Sequence, residues 1–181
     1  MTTFGIRIGE AYAGEGAEAA HVNVVIGDIS VLGPSFAQAI ANQGPGHAPF
    51  VTVLRPSLPV RPLTLFVNKA TIADERHGNL TWGAAQAGVA IGMTDAVATG
   101  SIAADVAGEL IAIAAVWVNP ESEDAEKVFR NNVVSTRRAV AAAVRNEPHV
   151  GDVLQARPDC HNPFFDARPY LAVDPMPPDR S

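Results

Sequence analysis

The segment Glu18 to Asp28 reads EAAHVNVVIGD. Polar or small residues alternate with β-branched apolar ones, the period of a strand with one face buried in a sheet. Alternation places His21, Asn23 and Val25 on one face and Val22, Val24 and Ile26 on the other. A histidine on the polar face is either a surface imidazole at a strand end or an acid–base group beside a cleft. The preceding stretch FGIRIGEAYAG (4–14) has the same period and is separated from AAHVNVVIG (19–27) by EGAE. The two are therefore expected to form an antiparallel hairpin.

Working outward, GPSFAQAIANQGPGH (33–47) predicts a short helix opening at Pro34, with Phe36, Ala37, Ile40 and Ala41 at helical spacing and a stop at Gly44-Pro45-Gly46. PFVTVLRP and LTLFVNKATI are β-rich runs joined by the proline-containing SLPVRP. A proline-free, alanine-rich helix is expected from Trp82 to Ala98, then a second short helix in SIAADVAGE, then a buried strand in LIAIAAVWV. Ser122 is expected to cap a helix with early acids (Glu123, Asp124, Glu126) and late bases (Arg137, Arg138, Arg145), running to about Asn146. From Pro148 onward prolines are dense, which predicts an extended tail lying over the domain or a neighbour. The order β-β-α-β-β-α-α-β-α-tail gives a two-layer α+β domain, helices on a mixed sheet.

Composition narrows the function classes. The 181 residues are 48% hydrophobic and 18% charged, which argues for a packed globular chain. A mean hydropathy of +0.12 points to surface buried in subunit contacts as well as in the core. The net charge of −6 has no basic run, which argues against nucleic acid as a partner. Cys160 is the single cysteine, so no internal disulfide is expected. No apolar run reaches the roughly 20 residues of a membrane span and no leader pattern opens the chain, so a cytoplasmic protein without membrane contact is expected. The five histidines do not fall at metal-ligand spacing with acids or cysteine, and His47, His77 and His149 stand in turn-like contexts; no metal is expected. Neither a phosphate loop nor a nucleophile motif is present.

Three further polar residues interrupt apolar patterns. Lys69 and Thr71 continue a row begun by Leu65 and Val67, so the lysine either ends the strand in solvent or meets a polar ligand in a cleft. Gln86 shares a helical stripe with Ala90, Met93 and Val97, where an amide is either bonded to backbone or faces the donor–acceptor edge of a heterocycle.

The collinear series GEAYAGEGAEAAHVNVVIG, ANQGPGH, LRPSLPVRPLTLFVNKATI and WGAAQAGVAIGMTDAVATG, followed by AVWVNPESEDAEKVF and HNPF, resembles the formaldehyde-activating enzyme family. The resemblance implies a single ribosomal-protein-like domain over residues 1–165, with 166–181 as a Pro-rich tail. It also implies a cyclic homopentamer that condenses formaldehyde with tetrahydromethanopterin or a related reduced pterin. Matched to the family motifs, His21 takes the place of the proton donor, while Asn23, Val51, Lys69, Thr71 and Gln86 take those of the pterin contacts. Asn23 stands where the family has a carboxylate, and NPESEDA and NNVVSTR replace segments that carry imidazole and aromatic groups there. An enzyme of one-carbon metabolism with His21 as general acid is one expectation; a non-catalytic pterin- or folate-binding or formaldehyde-sensing paralogue is the other.

Overall fold

The computed structural model describes residues 4–42 and 44–171. They form two compact units divided between Glu147 and Pro148. The first is built on a five-stranded sheet. Its strands are β1 (Ile6–Ala13), β2 (Ala20–Asp28), β3 (Phe50–Val51), β6 (Leu63–Asn68) and β7 (Leu110–Trp117), in the order β1-β2-β7-β6-β3. A small separate ribbon pairs β4 (Val53–Arg55) with β5 (Leu58–Pro59). The expected hairpin is present, with Glu10 opposite Asn23 and Tyr12 opposite His21. β7 lies at the centre, antiparallel to β2 and parallel to β6. The mixed sheet with packed helices is an α+β fold.

The period-two pattern sorts the two faces. Val22, Val24, Ile26, Phe66, Ala112, Ala114 and Val116 point into the main core, which they share with α3 (Gln86–Ala98) and α4 (Ala125–Arg145). Leu65 and Ile111 point the other way and meet Leu32 and Phe36 of α1 (Ile29–Ala41). Helices therefore lie on both faces, with α1 covering only part of the second.

α4, expected from its early acids and late bases, buries Val128, Ser135, Ala139, Val140 and Ala143. It approaches β1 at Gly9, where a β-carbon would stand 2.6 Å from the Ala143 nitrogen and closer still to the Ala139 carbonyl. Backbone thus packs on backbone, with no side-chain layer between. The helix ends at Asn146 in the left-handed region (φ 55°), which frees the chain to turn.

Several local expectations are corrected. α1 begins at Ile29, five residues before Pro34, which lies inside the helix. Asp124, not Ser122, caps α4 by accepting from the Lys127 N–H, and the Ser122 hydroxyl instead donates to the Ala17 carbonyl. The short helix expected in 101–109 is a series of turns. The helix expected from Trp82 starts earlier: α2 (Glu75–Asn79) runs through a π segment (Leu80–Ala85) into α3. The second unit is not simply extended, since it contains α5 (Val150–Ala156) and a hairpin of β8 (His161–Asn162) with β9 (Phe165–Asp166). There Arg168 holds the Asp166 carboxyl down to about 2 by direct hydrogen bonds. The end of the expected tail, residues 172–181, lies outside the described residues.

The contact at Gly9 gives a stability test. Gly9→Ala should lose about 1–3 kcal/mol, the usual range for overpacking, read as a fall of about 2–4 °C in Tm per kcal/mol. An unchanged Tm would mean that α4 can back away from β1 without cost.

Candidate functional site

The register of the central strands lays out the second face in rows. His21 is opposite Trp117 of β7, and Lys69 continues β6 past Asn68 with its backbone N–H donating to the Val116 carbonyl at 2.8 Å. Tyr12, His21, Trp117 and Lys69 thus form one row across four strands; Glu10, Asn23, Ala115 and Val67 form the next. Beyond them, Val25, Ile113 and Leu65 begin the apolar region covered by α1. The polar rows lie at the end of the face that α1 leaves open.

Lys69 is the hub. Its Nζ donates to Asn23 Oδ1 at 2.7 Å and stands 3.3 Å from His21 Nδ1. β7 separates the two strands involved, so the lysine side chain reaches across it. Ala115, opposite both Asn23 and Val67, is small enough to leave the path open. On its far side His21 presents Nε2 to Glu10 Oε1 at 2.9 Å. Burial pushes the Lys69 amine below its ordinary value, and the nearby Glu10 carboxylate offsets part of that fall. Lys69 is therefore neither a lysine ending in free solvent nor one neutralised by direct contact with an acid.

A second cluster shapes the chain just after Lys69. Asn68 is buried and its amide donates to the carbonyls of Gly46 and Ala70, clamping the Gly44–His47 turn against the end of β6. Gly46 has φ +72°, and a β-carbon there would run into the Thr71 methyl. His47 Nδ1 lies 2.9 Å from the Asn68 carbonyl, an acceptor, so Nδ1 carries the proton and Nε2 accepts from Thr71 Oγ1–H at 3.2 Å. His77 is fully buried: it accepts from the Ala73 N–H at Nδ1 and donates from Nε2 to the Val118 carbonyl. These histidines hold the segment from Lys69 to Ala73.

The six residues singled out by sequence are thus distributed unequally. His21, Asn23 and Lys69 meet directly, and Thr71 lies two residues beyond Lys69. Val51 is on the same face, paired with Leu65 and packed in the apolar cluster under α1. Gln86 takes the backbone alternative: its amide accepts from the Val53 N–H and donates to the Val53 carbonyl, outside the Lys69 cluster. Asn23 spends its carbonyl oxygen on Lys69, and the side chain that meets His21 Nε2 is Glu10. Glu10, Tyr12 and Trp117 went unnoticed in the sequence. The alternation of β1 places the first two on one face, and pairing that strand residue by residue with β2 would have found them.

Among the described residues, no group of three or more His, Cys, Asp or Glu side chains is placed to hold a metal ion. No helix among them is long and apolar enough to cross a membrane.

The family model for formaldehyde-activating enzyme (Fae) matches residues 8–165. A bifunctional enzyme Fae/Hps of Archaeoglobus fulgidus is 38% identical over 175 residues, covering 92% of this chain and 44% of the relative. The corresponding bifunctional enzyme of Methanosarcina barkeri is 37% identical over 150 residues, 82% of this chain and 38% of its own. A 5,6,7,8-tetrahydromethanopterin hydro-lyase of Methanosarcina barkeri is 34% identical over 158 residues, 87% of this chain and 89% of that protein. The chain spans less than half the length of these bifunctional relatives and most of the hydro-lyase.

Titration of Lys69 tests the electrostatics. The chain has two lysines, Lys69 and Lys127, so reductive ¹³C-methylation gives a simple spectrum that Lys69→Arg assigns. Because burial favours the neutral amine, the Lys69 signal should lose its proton below the ordinary lysine value of 10.5. A titration at or above that value would show that solvent reaches the amine freely.

Proposed function

We propose that this chain, which belongs to the formaldehyde-activating enzyme family, condenses formaldehyde with tetrahydromethanopterin or a related reduced pterin to the methylene-pterin. The observation that carries this reading is the Lys69 hub, which joins an imidazole and an amide from another strand at the open end of the sheet.

The reaction needs such a group. A pterin nitrogen adds to formaldehyde to give a carbinolamine. Its C–O bond then breaks with the electron pair leaving on oxygen, and a general acid protonates the departing hydroxide to water. The second pterin nitrogen closes the ring on the iminium and releases one proton, which restores the acid. His21 fills the acid's role, since imidazole exchanges protons near neutral pH. Lys69 supplies positive charge beside it. Thr71, Asn23, Val51 and Gln86 are proposed to contact the pterin, Gln86 through the amide hydrogen and lone pair not spent on Val53. Tyr12 and Trp117, in the same row as His21, offer flat apolar surface for a heterocycle. No metal takes part in this scheme.

The exposed apolar side chains of β1, Ile6 and Ile8 at 50% and 64% exposure, flank Glu10 on the same face. We take them as part of a subunit contact in a homopentamer whose clefts lie where subunits meet. A cytoplasmic location and a single domain over 1–165, with 166–181 as tail, complete the reading. The second reading, a pterin-binding or formaldehyde-sensing paralogue without turnover, is favoured by the neutral Asn23 beside Lys69.

The purified protein should form methylene-tetrahydromethanopterin above the spontaneous rate, and His21→Ala should lower kcat on the order of a hundredfold or more while pterin affinity stays within a few-fold. Pterin binding without turnover in the natural protein would select the second reading. Sedimentation should give a mass near five times 18.9 kDa; a monomer would remove the intersubunit cleft.

A further inference from the structure

We infer that Glu10 is the positioning carboxylate of this site, fixing His21 in the tautomer that carries its proton on Nε2 and leaves Nδ1 as the nitrogen that exchanges protons. The catalytic consequence rests on the reading of His21 as the general acid; the tautomer itself does not.

The assignment follows from donors and acceptors. A lysine ammonium has three N–H donors and no acceptor. The Nζ makes its short bond to Asn23 Oδ1 at 2.7 Å, and its longer 3.3 Å contact with His21 Nδ1 favours a lone pair there without enforcing it. The one proton of a neutral imidazole is then on Nε2, 2.9 Å from Glu10 Oε1, where a carboxylate accepts it. The two contacts agree: reversing the tautomer would set an N–H against the ammonium and a lone pair against the carboxylate.

The groups that face His21 come from every neighbouring strand: Glu10 and Tyr12 from β1, Asn23 from its own strand, Trp117 from β7 and Lys69 from β6. Glu10 is the negative charge among them and Lys69 the positive one. Asn23 bonds to Lys69, so its neutral amide takes no charge away from the imidazole. When Nδ1 takes up a proton, the imidazolium of the His21–Glu10 pair is stabilised by the carboxylate at Nε2. The imidazolium gives that proton to the departing hydroxide, and the proton released at ring closure returns to the pair. Charge and atoms balance over the cycle. Side-chain exposures of 39% for His21 and 56% for Glu10 mean that solvent screens the charge, so fixing the tautomer is the larger part of the effect.

The test uses the full chain with ¹⁵N-labelled histidine, His21→Asn assigning the ring among the five histidines. In the natural protein the neutral His21 ring should show the Nε2–H tautomer, and Glu10→Ala should convert it to a mixture. Glu10→Gln keeps the length and an acceptor oxygen but removes the charge. It should retain the tautomer, lower kcat by about tenfold, leave the pterin KM within a few-fold and move the basic limb of the kcat–pH profile to lower pH. Circular dichroism checks that both variants fold, which their exposed position favours. An Nδ1–H tautomer in the natural protein would overturn the inference, as would a tautomer unchanged by Glu10→Ala. An unmoved pH profile in an active Glu10→Gln would overturn the electrostatic part. Should the natural protein show no turnover, the proposed activity fails while the spectra still decide the role of Glu10.

Discussion

The register of β7 against its two neighbours constrains everything else in the first unit. With a side-chain period of two, a slip of one residue would turn Val22, Val24 and Ile26 outward and drive His21 and Asn23 into the core. The apolar row Val24–Ala114–Phe66 prevents that slip because those positions are fully buried against α3 and α4. The same pairing sets the end of parallel β6 and the start of antiparallel β2 on either side of the end of β7. Core burial on one face thus sets the distances among charged groups on the other, and the site needs little rigidity of its own. Strand β1 shows the coupling at its shortest range. Gly9 gives up its side chain so that α4 can lie against the strand, and the next residue, Glu10, faces the imidazole.

The loop after β6 is held by a different kind of force. Once Lys69 leaves the ladder, no sheet partner orders the chain, and polar side chains take over. Asn68 binds the preceding turn, His47 receives Thr71, and buried His77 ties Ala73 to the end of β7. Each histidine is held in a definite tautomer, His47 by a carbonyl and a hydroxyl and His77 by an N–H and a carbonyl. Of His21, His47 and His77, it is His21 whose partners are both charged or chargeable.

How much of this could be read from the sequence depended on whether the decisive information was local. Alternation in 18–28 and the uniformly apolar, β-branched run that begins at Leu110 are local signals, and both strands lie where those signals place them. Lys69 stood out because it broke a row of apolar residues. Its partners His21 and Asn23 were identifiable as polar residues on a strand face, but their meeting with Lys69 depends on β7 lying between, which no local pattern encodes. Glu10 was missed for the same reason: a glutamate on an edge strand looks like an ordinary solvated charge until the hairpin is paired residue by residue. Gln86 shows the converse, a residue that stood out locally while its partner did not. An amide among apolar residues drew attention as a ligand contact, whereas its immediate partner is the backbone of an irregular strand at Val53, where ladder bonds are missing. Cap assignment failed at Ser122 because two residues on, Asp124 offers a better acceptor, and the serine hydroxyl finds a carbonyl a hundred residues away in sequence.

The π segment at Leu80–Ala85 has a consequence for how the chain can vary in length. Each residue advances an α-helix by about 100°, so one residue removed from this run would restore ordinary α geometry while turning α2 by that angle relative to α3. His77 would swing off Val118, although α3 could keep its contact with α4. Both ends of the helical run are already committed, one to the end of β7 and the other to the packed helix pair, and the wider turn supplies the phase that lets them coexist. Insertions and deletions that a surface loop would absorb are therefore excluded from these six residues, even though no side chain in them takes part in the site.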